Sequence, residues 1–226
     1  MNRILILRPQ PGADQSARLA RSFGLEPTVA PLFTVGPLAW EPVEAAGFDA
    51  VMMTSANAAR HGGPGLAPLT LLPCYAVGEA TAAAAREAGF ERVTAGDGDA
   101  EDLIDFCVDD GVCSLLHLCG REHRPVERPG LRVERRIVYA SDAAAALPAA
   151  ARAALEGGAV ALLHSPRSAA LFGELVEARG TVAIAAISAA AAEAAGDGWL
   201  AREAAPQPTD EALLELAAKL CKIAGR

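Results

Sequence analysis

The chain repeats itself, and this constrains its fold more than any other feature. Phe48 to Arg60 reads FDAVMMTSANAAR and Gly158 to Phe172 reads GAVALLHSPRSAALF, which places Ser165 opposite Ser55 and Ala169 opposite Ala59 at a spacing of 110 residues. Each copy is an apolar run, then a small hydroxyl residue, then a helix start. The same spacing lays Ala76 to Ala82 over Ala186 to Ala192, and Ala95 to Phe106 over Ala205 to Leu216, where Thr209 stands in the capping place of Asp99. Ile4 to Pro9 lies over Leu115 to Gly120 at 111, and Gly24 to Phe33 over Gly130 to Tyr139 at 106. A near-constant register over so much of the chain predicts a duplicated α/β unit of roughly 110 residues. A strand that delivers Ser at its C-terminal edge and opens a helix leaves backbone N–H groups facing outward, where anions settle. Two copies suggest two walls of one cleft.

Between the copies the pattern alternates strand and helix. Arg3 to Leu7 is a short aliphatic run ended by Arg8-Pro9-Gln10-Pro11-Gly12. Asp14 is placed to cap a helix whose Ala17, Leu19, Ala20 and Phe23 face inward, with Gly24 as its stop. A strand over 27–32 completes a strand-helix-strand unit, which calls for a parallel sheet. From Phe33 to Gly47, Gly36, Pro37, Pro42 and Gly47 interrupt any regular pattern, as in a linker. Strands then fall at 48–55, 74–77, 93–95, 114–118 and 133–139, with helices at 80–88 and 100–108 and a second linker over 141–148.

Charge and cysteine usage narrow the class. The net charge of −8 excludes a general nucleic-acid-binding surface. No apolar stretch approaches the roughly 18 residues that span a bilayer, and the N-terminus runs straight into a strand pattern without a cleavable signal, so a cytoplasmic protein is expected. Five cysteines without CxxC spacing argue against a disulfide framework and fit a reducing compartment.

Neither Ser55 nor Ser165 sits in G-x-S-x-G with a His and acid nearby, so both read as ligand-contacting or capping serines rather than nucleophiles. Neither GxGxxG nor GxxxxGK[ST] occurs, which disfavours dinucleotide and NTP chemistry. Cys113, His117, Cys119 and His123 resemble a metal set, but a strand would separate positions 113 and 119 by about 20 Å, so no metal is expected. Asp97, Asp99, Glu101 and Asp102 lack the glycine of a calcium loop and read as a charged helix start. Arg8, Arg60, Arg121, Arg124 and Arg167 each follow a predicted strand, at the edge where open parallel sheets bind ligands. Tyr139 lies where the second linker leaves the sheet, either as a half-buried linker residue or as a phenol that donates a proton or hydrogen bond.

The ordered series Leu7-Arg8-Pro9, Ala30-Pro31-Leu32, Thr54-Ser55-Ala56-Asn57-Ala58, Ala76-Val77-Gly78-Glu79-Ala80-Thr81-Ala82, Val138-Tyr139 and His164-Ser165-Pro166 resembles the uroporphyrinogen-III synthase family over nearly the whole chain. The resemblance implies an α/β fold of two similar parallel-sheet, three-layer domains joined by a two-stranded linker. Domain 1 would comprise 1–32 plus 147–226 and domain 2 residues 46–135, with 33–45 and 136–146 as linkers. It further implies a hydro-lyase that closes hydroxymethylbilane to uroporphyrinogen III, with inversion of ring D and loss of water, in haem, sirohaem and cobalamin biosynthesis. No metal or organic cofactor is implied, and the protein would be monomeric, with transient handover of substrate from hydroxymethylbilane synthase. Tyr139 matches the tyrosine proposed to assist departure of the hydroxyl. The strand-to-helix turns are expected to hold substrate carboxylates through Arg8, Ser55, Ala56, Asn57, Gly78, Thr81, Gly120, Arg121, Ser165, Pro166, Arg167 and Ser188. One position departs from the family: Ala191 stands where a Thr is usual, while its twin keeps Thr81. The competing readings are a non-catalytic two-domain module binding a tetrapyrrole or small anion, and a duplicated periplasmic binding protein, which the missing signal disfavours.

Overall fold

The computed structural model describes residues 2–123 and 125–224. Arg124, named above among the strand-end arginines, lies outside the described residues. Strands and helices alternate: β1 (Arg3–Ile6), α1 (Gly12–Ser22), β2 (Glu26–Val29), β3 (Phe33–Pro37), β4 (Ala50–Met53), α2 (Ala56–His61), β5 (Cys74–Val77), α3 (Glu79–Glu87), β6 (Val93–Gly96), α4 (Ala100–Asp109), β7 (Ser114–Gly120), β8 (Arg132–Ala143), α5 (Ala149–Glu156), β9 (Val160–Leu163), α6 (Pro166–Leu175), β10 (Ala183–Ala186), α7 (Ala189–Ala194), β11 (Ala201–Ala204) and α8 (Asp210–Ala224). The chain divides into two compact units, one of residues 1–34 and 142–226 and the other of 35–141.

The first unit holds a sheet in the order β11-β10-β9-β1-β2, with every pairing parallel. β9 and β10 are unbroken apolar runs buried at every position, the pattern of parallel strands covered on both faces. Strand alternation sorts their side chains. Leu5, Ala161, Leu163, Ile184 and Ala186 pack against α5, α6 and α7, while Ile4, Ile6, Val160, Leu162 and Ala185 pack against α1 and α8. Each fully buried Leu or Ile contributes about 1.5–3 kcal/mol by leaving water, so this central sheet anchors the unit.

The second unit holds the order β3-β8-β7-β4-β5-β6, with the run from β8 to β6 parallel. Val51, Met53, Leu116 and Leu118 face α2 and α3, and Ala50, Met52, Tyr75 and Leu115 face α4. The stretch from Phe33 to Gly47, irregular by its local pattern, opens with β3. Pro37 is tolerated there because β3 is an edge strand and Pro37 is its last residue. β8 continues to Ala143, past the point where a linker at 141 was expected.

Asp14 is not a helix cap. Helix α1 begins at Gly12, which puts Asp14 inside the first turn, and the Gln10 side chain does the capping instead. Its Oε1 accepts the Asp14 N–H at 3.2 Å while its Nε2 donates to Asp14 Oδ1 at 2.8 Å. Gly24 ends the helix in a left-handed conformation (φ 71°), as its position after Phe23 suggested.

Candidate active site

Most candidate residues lie at the C-terminal edges of the two sheets, because they follow strands that end there, whereas Tyr139 lies within β8 and reaches that edge by pairing with Gly120, the last residue of β7. In the first unit, Ser165 ends the loop after β9 and caps α6, its Oγ accepting the Ser168 N–H at 3.1 Å. Ser188 follows β10 and caps α7 through the Ala191 N–H at 3.2 Å. Pro166 is the first residue of α6, where a missing N–H costs nothing. Arg167, exposed on the next position, lays its guanidinium 4.4 Å from the centroid of the Phe33 ring.

Arg8 is engaged by a carboxylate. Its Nη1 donates to Asp210 Oδ1 at 3.1 Å and Oδ2 at 3.2 Å, and to Ser16 Oγ at 3.3 Å, while Ser16 Oγ donates to Asp210 Oδ2 at 2.5 Å. His164 Nε2 stands 3.5 Å from Asp210 Oδ1, close enough for an ion pair but not aligned as a hydrogen bond, and both ring nitrogens are buried without a hydrogen-bond partner. The His164 imidazole, the Ser16 hydroxyl and the Arg8 guanidinium together outweigh partial burial and hold Asp210 down to about 2. Asp210 is therefore an anion throughout the physiological range, and it neutralises Arg8. The guanidinium lies over Gly12, where a Cβ would approach Arg8 Nε to 2.6 Å. This cluster joins β1, α1, the end of β9 and the first turn of α8.

In the second unit, Ser55 caps α2 through the Asn57 N–H at 3.2 Å, and Ala56 and Asn57 form the first turn. Gly78 precedes α3 without any side-chain cap, in a conformation (φ 74°, ψ 160°) that excludes side chains, and Thr81 is buried in the first turn behind it. Gly120 ends β7 and pairs with Tyr139 across a bulge between Cys119 and Gly120, the device that re-aims a side chain at a strand end. The exposed Arg121 donates its backbone N–H to the Tyr139 carbonyl at 3.0 Å. Tyr139 is half-buried. Its ring lies directly over Gly120, where a Cβ would stand 2.6 Å from Cζ and 2.8 Å from Oη. On α2, His61 brings its ring within 6.3 Å of the Tyr139 ring, centroid to centroid, and Arg60 is exposed.

Behind this edge lies a buried histidine. His117 Nε2 meets Thr54 Oγ1 at 3.3 Å, and its Nδ1 has no partner. Burial, then the nearby His123 and Arg135, push its pKa down to about 4, so it is neutral. Burial likewise pushes the Cys119 thiol up to about 11. Among the described residues, no three His, Cys, Asp or Glu side chains are disposed to hold a metal ion, and no helix is long and apolar enough to cross a membrane. A cavity of about 690 Å³ in the first unit lies among the segments leading into β9 and β10, lined by Leu155, Glu174 and Val182, and contains none of the candidate residues.

Sequence reasoning passed over Ser16, Asp210 and His61. Ser16 and Asp210 meet across 194 positions of sequence, and Asp210 beside Thr209 reads only as a helix start. His61 reads as the last residue before a glycine-rich turn. No local pattern marks either contact.

Comparison with known proteins identifies the family and the fold. The family model described as uroporphyrinogen-III synthase HemD matches residues 14–215. A comparison with curated proteins finds no match. The crystal structure of a uroporphyrinogen-III synthetase from Helicobacter pylori aligns with a TM-score of 0.65 at 19% identity, covering 97% of this chain and 100% of that one. A mutant uroporphyrinogen III synthase from the extremely thermophilic bacterium Thermus thermophilus aligns with a TM-score of 0.53 at 17% identity, covering 99% of each chain. At these identities the structures establish a shared α/β fold, and the family rests on the model match across most of the sequence: this chain belongs to the uroporphyrinogen-III synthase family.

Proposed function

We propose that this protein closes hydroxymethylbilane to uroporphyrinogen III, inverting ring D and releasing water, and that Tyr139 is its acid. The observation that carries the reading is the placement of Tyr139. In a chain of this family, the phenol stands where β8 pairs with the last residue of β7, backed by Gly120, in the sheet whose other strands lead to the turns at Ser55 and Gly78. In the reaction, the Tyr139 O–H donates to the terminal hydroxyl, directly or through one water, and the hydroxyl departs as water. The azafulvene cation left behind is attacked at the substituted carbon of ring D, giving a spiro intermediate. Its rearrangement and closure invert the ring, and the proton lost when the pyrrole becomes aromatic again returns to the phenolate. The bilane closes unaided to isomer I, so the protein mainly selects geometry, which is catalysis by orientation.

Carboxylate recognition falls in this reading to backbone N–H groups at strand-to-helix turns, which reconciles an acidic protein with an anionic substrate. The uncapped start of α3 after Gly78 is the receptor favoured in the second unit, with Thr81 behind it and Ser55, Ala56, Asn57, Gly120 and Arg121 at neighbouring turns. In the first unit Ser165, Pro166, Arg167 and Ser188 take that role. Arg8 contributes as part of the Asp210 cluster.

The domain assignment, 1–32 with 147–226 and 46–135 linked by 33–45 and 136–146, belongs to the same proposal, as does the descent of both from one duplicated unit. Strand register supports the duplication. Ile4 pairs with Val160 as Leu115 pairs with Ala50, and Ile184 with Ala161 as Cys74 pairs with Val51. Arg3 likewise pairs with Glu26 as Ser114 pairs with Arg132. These are the pairs that spacings of 110, 111 and 106 relate, and sheet orders β11-β10-β9-β1-β2 and β6-β5-β4-β7-β8 follow from the same mapping. The proposal also places the protein in the cytoplasm as a cofactor-free monomer receiving substrate from hydroxymethylbilane synthase.

The test supplies freshly generated hydroxymethylbilane and resolves uroporphyrin isomers after oxidation. Isomer III above the spontaneous background is expected, and Tyr139→Phe should lower its rate at least tenfold. Isomer I alone, at the spontaneous rate, would favour the non-catalytic binding module and sink the enzyme reading.

A further inference from the structure

The residue that follows Ala56-Asn57-Ala58-Ala59-Arg60 has no role in the scheme above, yet its ring is the aromatic neighbour of the proposed acid. We propose that His61 is a positioning residue for Tyr139, its ring flanking the phenol that Gly120 already confines. The inference rests on the reading of Tyr139 as the acid.

His61 is itself held at both ends. Helix α2 is pinned at its start by the Ser55 cap and is buried through Ala58 and Ala59. Immediately after His61, the Gly62 carbonyl accepts the Trp40 Nε1–H at 2.9 Å, and the Trp40 ring lies so close to Gly65 that a Cβ there would overlap Cζ2. The turn that carries His61 is thus clamped by an indole, which fixes the backbone from which the imidazole projects. Tyr139 is held through its backbone, by the pairing with Gly120 and the Arg121 N–H. Its neighbours Val138 and Ala140 are buried in the sheet. The remaining freedom is rotation of the phenol about its own side-chain bonds. Gly120 limits this rotation by its close approach to the ring, and the His61 ring, tilted 35° at 6.3 Å, is the aromatic surface that flanks it. That separation and tilt lie in the attractive range for aromatic pairs.

The imidazole suits this place chemically. Partial burial first, and the Arg60 charge second, draw its pKa below the ordinary value, which favours the neutral ring. A neutral ring sets no charge against the phenol. An acid works only within hydrogen-bond reach of the group it protonates, so a phenol free to rotate spends part of its time out of reach. Losing one aromatic wall corresponds to about a three- to tenfold loss in kcat.

Steady-state assays with fresh hydroxymethylbilane on four variants test this. His61→Ala should lower kcat for isomer III about three- to tenfold with KM within about twofold, because it frees the acid without touching substrate. His61→Phe, which keeps a ring but no nitrogen, should restore most of the loss. In Tyr139→Phe, adding His61→Ala should cost little more, since the group it positions is gone. Wild-type kcat in His61→Ala, in a protein whose Tyr139→Phe variant is impaired, overturns the inference and leaves the acid assignment standing. So does an equal loss from His61→Ala with and without the phenol. Wild-type activity in Tyr139→Phe overturns both.

Discussion

Gly120→Ala is the sharpest test of the idea that Tyr139 works by placement. The added Cβ would lie 2.6 Å from Tyr139 Cζ and 2.8 Å from Cε2 and Oη. An ordinary contact begins near 3.4 Å, so the phenol must retreat by roughly 1 Å, away from β7. Gly120 is not among the residues with positive φ, so Ala is permitted by the backbone and the whole effect falls on the ring. Tyr139 is only half-buried, which lets the ring yield toward its open side. The stability cost should therefore sit at the low end for overpacking, about 1 kcal/mol, or about 2–4 °C in Tm. The catalytic cost is larger, because a displacement of about 1 Å at a reacting group is worth on the order of a hundredfold in kcat. The assay is isomer III formation from fresh hydroxymethylbilane beside a thermal melt, with Gly36→Ala, where nothing lies within 4 Å of a built Cβ, as the neutral control. A Gly120→Ala protein that melts within a few degrees of wild type and keeps full kcat would refute the placement argument. A collapse of Tm by tens of degrees would refute the claim that the ring can yield.

Stability measurements probe three other sites. Gly78→Ser should destabilise by about 1–3 kcal/mol in urea unfolding although Ser occupies the twin position 188, because Gly78 has φ 74° where Ser188 has φ −153°. Asp210→Asn removes the anion shared by Arg8, Ser16 and His164 and should cost about 1.5–3 kcal/mol, read from the urea midpoint at pH 7. It should also flatten the acid limb of stability: wild-type Asp210 is stabilising above its unfolded value near 3.8 and loses that contribution as pH falls toward about 2. His117, held down to about 4, takes up its proton more readily in the unfolded chain, so native stability should fall by up to about 3 kcal/mol as pH drops from 6.5 to 4. His117→Gln should lack that slope, and equal pH profiles for the two proteins would show that the buried imidazole does not govern it.

The strand-to-helix turns were legible in the sequence because their signals are local. An apolar run, a small hydroxyl residue and a helical period suffice to place Ser55, Ser165 and Thr209, and all three cap as that order requires. Asp14 misled for the same reason: a good capping residue two positions inside a helix looks like a cap until the Gln10 side chain is seen in that role. Contacts that depend on which strands become neighbours left no local trace. Arg8 reads as a strand-end arginine awaiting an anion, and only the seating of α8 beside β9 reveals that Asp210 already serves it. Tyr139 and Gly120 are 19 residues apart and meet through the register of β7 on β8 and the bulge at its end.

The repeat bears on where the chemistry sits. In the proposed duplication a spacing of 106 sets Phe33 against Tyr139, and a spacing of 110 sets Leu171 against His61. Both polar members of the Tyr139–His61 pair are therefore apolar in the first unit, where the Phe33 ring lies under the Arg167 guanidinium instead. The Asp210 cluster is equally one-sided, since the twin of Asp210 is Ala100 and that of Arg8 is Cys119. Two copies under one requirement would keep the same polar residues at matching strand ends. On this mapping the two units share the strand order, the register and the Ser55 and Ser165 caps, and differ in the groups able to move a proton or neutralise a charge. On that mapping Phe33 carries no phenol to match Tyr139, so a mechanism with a single protonation step needs nothing from Phe33. Phe33→Tyr should accordingly leave the isomer III rate of a Tyr139→Phe protein unrescued, and recovery of activity in that double variant would show that the two edges are interchangeable.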